Sequence, residues 1–297
     1  MCMSIFLAGA GPDPFAFPEV FDRFARDVRE YAGSRISSRD RPARIAVVVH
    51  ARSGDPADLL PAYVEPLGVR LGFEAVPVLL QARQPAQSSL FDGADGIVVG
   101  GGLTPAYLGG LEASAAAIIR RVSDGVPYLG FSAGAMVAPS HALIGGYRVG
   151  GVEVCGEECS EDLDELAIRD GLGLAPFAVD VHAAQAGTLS RAVGAVAAGL
   201  VERAVAVDEN TALILPAAGS ESFEVLGGGN CWDIRRAGIG NDSTDDGGPA
   251  GGGHGTAGPG TVSRGRVSHG AVGPAAANPG SVGTQARPVV VSIRSAG

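Results

Sequence analysis

Short apolar runs alternate with longer amphipathic stretches along the first 216 residues. SIFLAG (4–9), RIAVVVHA (44–51), EAVPVLL (74–80), GIVVGG (96–101) and VPYLGFS (126–132) predict strands buried on both faces. Between them, PEVFDRFARDVREYAG (18–33) sets Val20, Phe21, Phe24, Ala25 and Val28 on one side of a predicted helix. LEASAAAIIRRVSDG (111–125) predicts a second helix. Further strands are predicted at GYRVGGVEV (146–154), FAVDVHA (177–183), AVAVD (204–208) and TALILP (211–216), with a helix over TLSRAVGAVAAGLVER (188–203). Strands that alternate with helices make an α/β fold: a doubly wound, mostly parallel sheet flanked by helices, whose C-terminal strand ends line one crevice.

The pattern stops near Ala237. Residues 1–236 are expected to form one α/β body, and 237–286, rich in Gly, Pro and Ser, hold too few large apolar residues to bury and are expected to be disordered. RPVVVSIRS (287–295) regains strand character, so residues 287–297 are read as a final strand or a frayed end.

With 297 residues and 46% apolar content the chain can build a sizeable core. A formal net charge of −10, with no basic run to offset it, argues against nucleic acid and leaves a small molecule or small peptide as the expected partner. No run approaches a membrane span and no basic segment precedes the N-terminal apolar stretch, so a cytoplasmic location without membrane contact is expected. Self-association as a homodimer is compatible with this reading. Cys2, Cys155, Cys159 and Cys231 are expected to be reduced. CGEEC (155–159) lacks the spacing of a zinc or redox pair, and neither a metal nor a cofactor is implied.

The chemistry centres on GFSAGA (130–135). Gly-x-Ser-x-Gly at the end of a strand can form a nucleophile elbow that exposes Ser132 on a sharp turn into a helix. Packing alone is the competing explanation for small residues there. A serine nucleophile needs a base, and His254 and His269 fall in the low-complexity segment. His50 and His141 read as bystanders. His182 ends a predicted strand and is the best candidate. Asp180, Asp208 and Glu209 could orient it; Asp180 shares its strand at awkwardly close range, which favours Glu209. The glycine loop in VVGGGLTP (98–105) could supply oxyanion donors from Gly101 and Gly102, together with the N–H of Ala133. It lacks the Lys-Ser/Thr of a P-loop and the dinucleotide spacing.

GGGLTPAYL, GFSAGA, EDLDELAIRDGLGLAPFAVDVH and VDENTALIL, in that order and spacing, resemble the cyanophycinase and dipeptidase E family of serine peptidases over most of residues 44–216. The resemblance implies a class I glutamine amidotransferase-like fold, a flavodoxin-like three-layer sandwich. It also implies Ser132 as nucleophile, His182 as base and Glu209 as acid, and an acyl-enzyme route that cleaves an amide bond of a small peptide. Substrate contacts are then expected from Leu103, Thr104, Gln185 and Arg191. Relatives carry Gln or Asn where this chain has Leu103, and several arginines after the histidine where it keeps only Arg191. An acidic substrate would therefore find fewer charge-assisted partners. An α/β-hydrolase esterase would place its acid before the histidine, unlike the order here. A non-catalytic amidotransferase-like binding domain is the remaining rival.

Overall fold

The computed structural model describes residues 4–35, 41–81, 84–237 and 288–296. Met1–Gly238 with Ala286–Gly297 make one compact unit. The other, Ile239–Gln285, lies outside the described residues, and with it, Ala237 apart, the expected disorder of 237–286.

The first half of the chain runs β1 (Ile5–Ala8), α1 (Pro18–Ser34), β2 (Ala43–His50), α2 (Leu60–Gly68), β3 (Phe73–Leu80), β4 (Gly96–Val99), α3 (Thr104–Leu111), α4 (Ala115–Ser123), β5 (Tyr128–Phe131) and α5 (Ala133–Met136). The second half runs β6 (His141–Gly145), β7 (Arg148–Val149), β8 (Val152–Glu153), β9 (Ala167–Asp170), β10 (Ala178–Val181), α6 (Leu189–Ala197), β11 (Arg203–Val207), β12 (Thr211–Leu215), β13 (Glu224–Gly227), β14 (Asn230–Arg236) and β15 (Val289–Ser295).

The central sheet has seven strands in the order β13-β12-β1-β5-β4-β2-β3. The five from β1 to β3 are parallel and β12 and β13 antiparallel. Period-2 alternation divides its side chains between two cores. Phe6, Ile45, Val47, Val49 and Phe131 pack with Val20, Phe21 and Phe24 of α1 and Tyr63 and Leu67 of α2. Leu7, Ala46, Val48, Ile97 and Tyr128 face Tyr107 and Leu111 of α3 and Ile118 and Val122 of α4. Each buried large apolar side chain contributes roughly 1.5–3 kcal/mol, and this holds both helix layers on the sheet. The expected α/β sandwich with a mostly parallel sheet is present.

Several predicted elements change. β10 and β11 leave the central sheet and form a second one, ordered β10-β11-β14-β15. In it β15 pairs antiparallel with β14 from Val289↔Arg236 to Ser295↔Asn230. The stretch 146–154 is a small exposed hairpin, β7 with β8, rather than one strand, because Gly150 and Gly151 (φ 59° and 78°) turn the chain back on itself. The predicted helix at 111–125 is a 3₁₀ turn, Glu112–Ser114, followed by α4. α6 ends at Ala197, before the predicted 203, and β11 starts at Arg203. α3, over TPAYLGGL, had no helical signal because two glycines and a proline hide it; burial of Tyr107 and Leu111 forms it.

Candidate active site

The elbow follows from backbone contacts. β5 ends at Phe131, whose ring packs against Phe17, Phe21 and Tyr63. Ser132 then takes φ 47°, ψ −106°, a conformation that costs a non-glycine residue of order 1–3 kcal/mol and is held by its surroundings. Its N–H donates to the Ala8 carbonyl at 3.0 Å, and its own carbonyl accepts from Ala135 and Met136 to start α5. A Cβ on Gly130 would stand 2.4 Å from the Gly134 oxygen, and one on Gly134 would stand 2.3 Å from the Val99 oxygen. The two glycines of Gly-x-Ser-x-Gly are thus the only residues that let this turn seat between β4 and β5.

His182, also at positive φ (58°), follows β10. Although β10 belongs to the second sheet, the His182 N–H donates to the Gly9 carbonyl at 3.1 Å, so the histidine meets the end of β1. Its Nε2 lies 3.0 Å from Ser132 Oγ, and its Nδ1 lies 2.6 Å from Glu209 Oε1. A carboxylate only accepts, so Nδ1 carries the proton toward Glu209 and Nε2 accepts from the serine hydroxyl. Ser132, His182 and Glu209 are brought together in one chain of hydrogen bonds.

Asp208 fixes the turn that carries Glu209. Buried, it accepts from Trp232 Nε1 (2.9 Å), Asn230 N (3.0 Å) and Ala184 N (3.1 Å), joining β11, β14 and the segment after His182. Gln185 is exposed and its Oε1 accepts from the Glu209 N–H at 2.9 Å, so it braces the acid.

The glycine loop needs one correction. Gly101 was expected to donate to an oxyanion, but its N–H donates to Tyr63 Oη at 2.9 Å. Its carbonyl accepts from Tyr107 Oη at 3.0 Å, and Tyr107 in turn accepts the His50 N–H at 3.1 Å. Burial raises the pKa of both phenols, which keeps them protonated. Gly102 (φ 147°) and Ala133 retain N–H groups with no hydrogen-bond partner among the described residues. Gly101 instead backs the nucleophile: a Cβ there would lie 3.2 Å from that of Ser132.

Two expected substrate contacts are also corrected. Arg191, 2% exposed, is bidentate to Asp180 (2.6 and 2.9 Å) and donates to the Gly146 and Cys159 carbonyls, so it cannot reach a substrate. Burial opposes its charge, but the Asp180 carboxylate outweighs burial and raises its pKa. The same pair removes Asp180 as a partner for His182. Thr104 is buried, with its N–H and hydroxyl both taken by Glu161 (3.0 and 3.1 Å). Burial raises the Glu161 pKa, against these bonds. Leu103 remains half-buried beside the loop. Tyr63, Tyr107 and Glu161 had no sequence signal as a site-building set; they lie 21 to 69 residues from the triad member nearest in sequence to each, and only the fold brings them in, while Asp208, a candidate partner of His182 in sequence, instead fixes the turn beside Glu209.

Cys155, Cys159 and Cys231 are free thiols, and no helix among the described residues is long and apolar enough to cross a membrane. The family model described as Peptidase family S51 matches residues 37–217. No curated protein matches the sequence. Fourteen chains of solved structures match, among them a candidate peptidase E from Listeria monocytogenes EGD-e, at 13% identity over 75% of this chain and 98% of that one, with a TM-score of 0.43.

Proposed function

Because the chain belongs to peptidase family S51, we propose that it hydrolyses an amide bond of a small peptide, as a dipeptidase or cyanophycinase-like exopeptidase, through an acyl-enzyme on Ser132. The observation that carries this is the unbroken chain Ser132 Oγ, His182 Nε2 at 3.0 Å, His182 Nδ1, Glu209 Oε1 at 2.6 Å.

In this reading His182 Nε2 removes the hydroxyl proton as Ser132 Oγ bonds to the substrate carbonyl carbon. The carbonyl π electrons move to oxygen, and the N–H groups of Gly102 and Ala133 stabilise the resulting charge. Glu209 stabilises the imidazolium, which then gives its proton to the departing amine as the C–N bond breaks. Water, deprotonated by the same nitrogen, cleaves the ester and returns Ser132. Positive φ at Ser132 and His182 supports the reading, because strain of this kind persists where the surroundings over-determine it. Free thiols at Cys155, Cys159 and Cys231 support a cytoplasmic setting.

The test is a fluorophosphonate probe read by mass spectrometry, with Ser132→Ala and His182→Ala beside the native chain. One adduct on Ser132 that requires His182 is expected. A folded protein that takes no adduct would leave a binding domain without chemistry.

A further inference from the structure

A cavity of about 770 Å³ opens beside the glycine loop. Its wall includes Leu80 at the end of β3, Leu103, and Pro105, Ala106 and Gly110 of α3, with the His50 ring at the end of β2 and the uncharged amides of Gln81 and Gln84. It adjoins the nucleophile through the backbone: Leu103 follows Gly102, whose N–H has no hydrogen-bond partner among the described residues, and Gly101 packs on Ser132.

The charges of the described residues around it disfavour an acidic guest. The chain contains no lysine, so any cation must be arginine or histidine. Glu112 is the only charged side chain among the described residues lining the cavity. Burial, helped by Arg52, lowers the His50 pKa and keeps that ring neutral. Arg52 is held by both oxygens of Asp162 at 3.1 Å, and Arg191 is locked to Asp180. A carboxylate entering here would lose its water without gaining a cation, whereas an apolar side chain would gain by leaving water.

We infer that this cavity is the specificity subsite and takes an uncharged, mainly apolar side chain next to the scissile bond, so that neutral peptides are the substrates. The inference rests on the peptidase reading. An acidic preference, which the family resemblance would suggest, requires a cation, and the described residues of the wall supply none. Leu103 and Ala106 select by shape, and the mouth at Glu112 disfavours anions.

The experiment uses the full chain after its Ser132 labelling has been measured. Hydrolysis is compared across dipeptides that differ at one residue: Leu, Met, Asp and Lys. Leu and Met are expected to exceed Asp and Lys at least tenfold in kcat/KM. Ala106→Phe, which narrows the cavity, should cost Leu and Met peptides at least tenfold while the variant keeps the native melting temperature. Equal or better turnover of Asp or Lys peptides, or an Ala106→Phe variant with unchanged selectivity, overturns the inference. An Asp preference lost in Arg83→Ala overturns it too and identifies the cation as a residue outside the described set, between Gln81 and Gln84 in sequence. Calorimetric binding of the same peptides to Ser132→Ala keeps the two readings apart. Neutral peptides binding at least tenfold tighter than acidic ones uphold the subsite even if the native chain takes no probe, and the reverse order removes it even if Ser132 labels.

Discussion

The backbone N–H groups of Ser132 and His182 are tied to consecutive carbonyls of one strand end, Ala8 at 3.0 Å and Gly9 at 3.1 Å. The two residues come from different sheets and lie 50 positions apart, yet their relative position is set by a single peptide unit. Glu209 joins the same anchor, because Gly9 also approaches the backbone of Asp208 so closely that a Cβ would stand 2.1 Å from its oxygen.

Glu209→Gln should lower kcat by roughly 10²–10⁴ with little change in melting temperature, because an amide either holds the wrong imidazole tautomer or accepts without a stabilising charge. Initial rates on a hydrolysed dipeptide, beside a thermal melt, check this. A loss below threefold would mean that another group orients His182.

Tyr63→Phe deprives the Gly101 N–H of its acceptor, and leaving such a donor unpaired costs about 1–3 kcal/mol. Part of that cost should appear as a looser oxyanion loop, with kcat falling several-fold and KM nearly constant. The separate kcat and KM values decide, and an effect on KM alone would assign Tyr63 to substrate binding.

Arg191→Met should destabilise the fold by about 3–5 kcal/mol, since it leaves the Asp180 carboxylate buried without its cation. Urea unfolding measures this. A variant of native stability with a raised KM for every peptide would restore Arg191 as a substrate contact.

Asp27 is 5% exposed with Oδ2 unpartnered, and burial raises its pKa despite Ser4 and the neighbouring arginines. A carboxyl whose folded pKa lies above its unfolded one takes up a proton more readily when folded, so it costs stability once pH rises through the folded value. Asp27→Asn should therefore raise the melting temperature at pH 7, and the gain should shrink as pH falls through the raised folded value toward the ordinary carboxylate range. Melts of both proteins across pH 4–8 test this, and a gain independent of pH would point to packing instead.

Much of the fold was legible because it rests on local repetition. Apolar runs of β-branched residues became β1 to β5, and the spacing of Phe21, Phe24 and Val28 became the buried face of α1. Gly130 and Gly134 marked the elbow by what they lack, His182 stood out among five histidines, and Glu209 was preferred over Asp180 and implied by the family resemblance. Strand order, the second sheet and the identity of the loop donors depend on contacts between residues far apart in the chain. Nothing near Gly101 shows that Tyr63 accepts its proton, and nothing near Arg191 shows that Asp180 holds it inside. Periodicity and composition record what each segment must bury or expose, and these the sequence determined by itself. Which polar group meets which partner was decided by the tertiary structure alone, because a hydrogen bond depends on distances of a few ångströms that exist only once β1, β10 and the glycine loop have met.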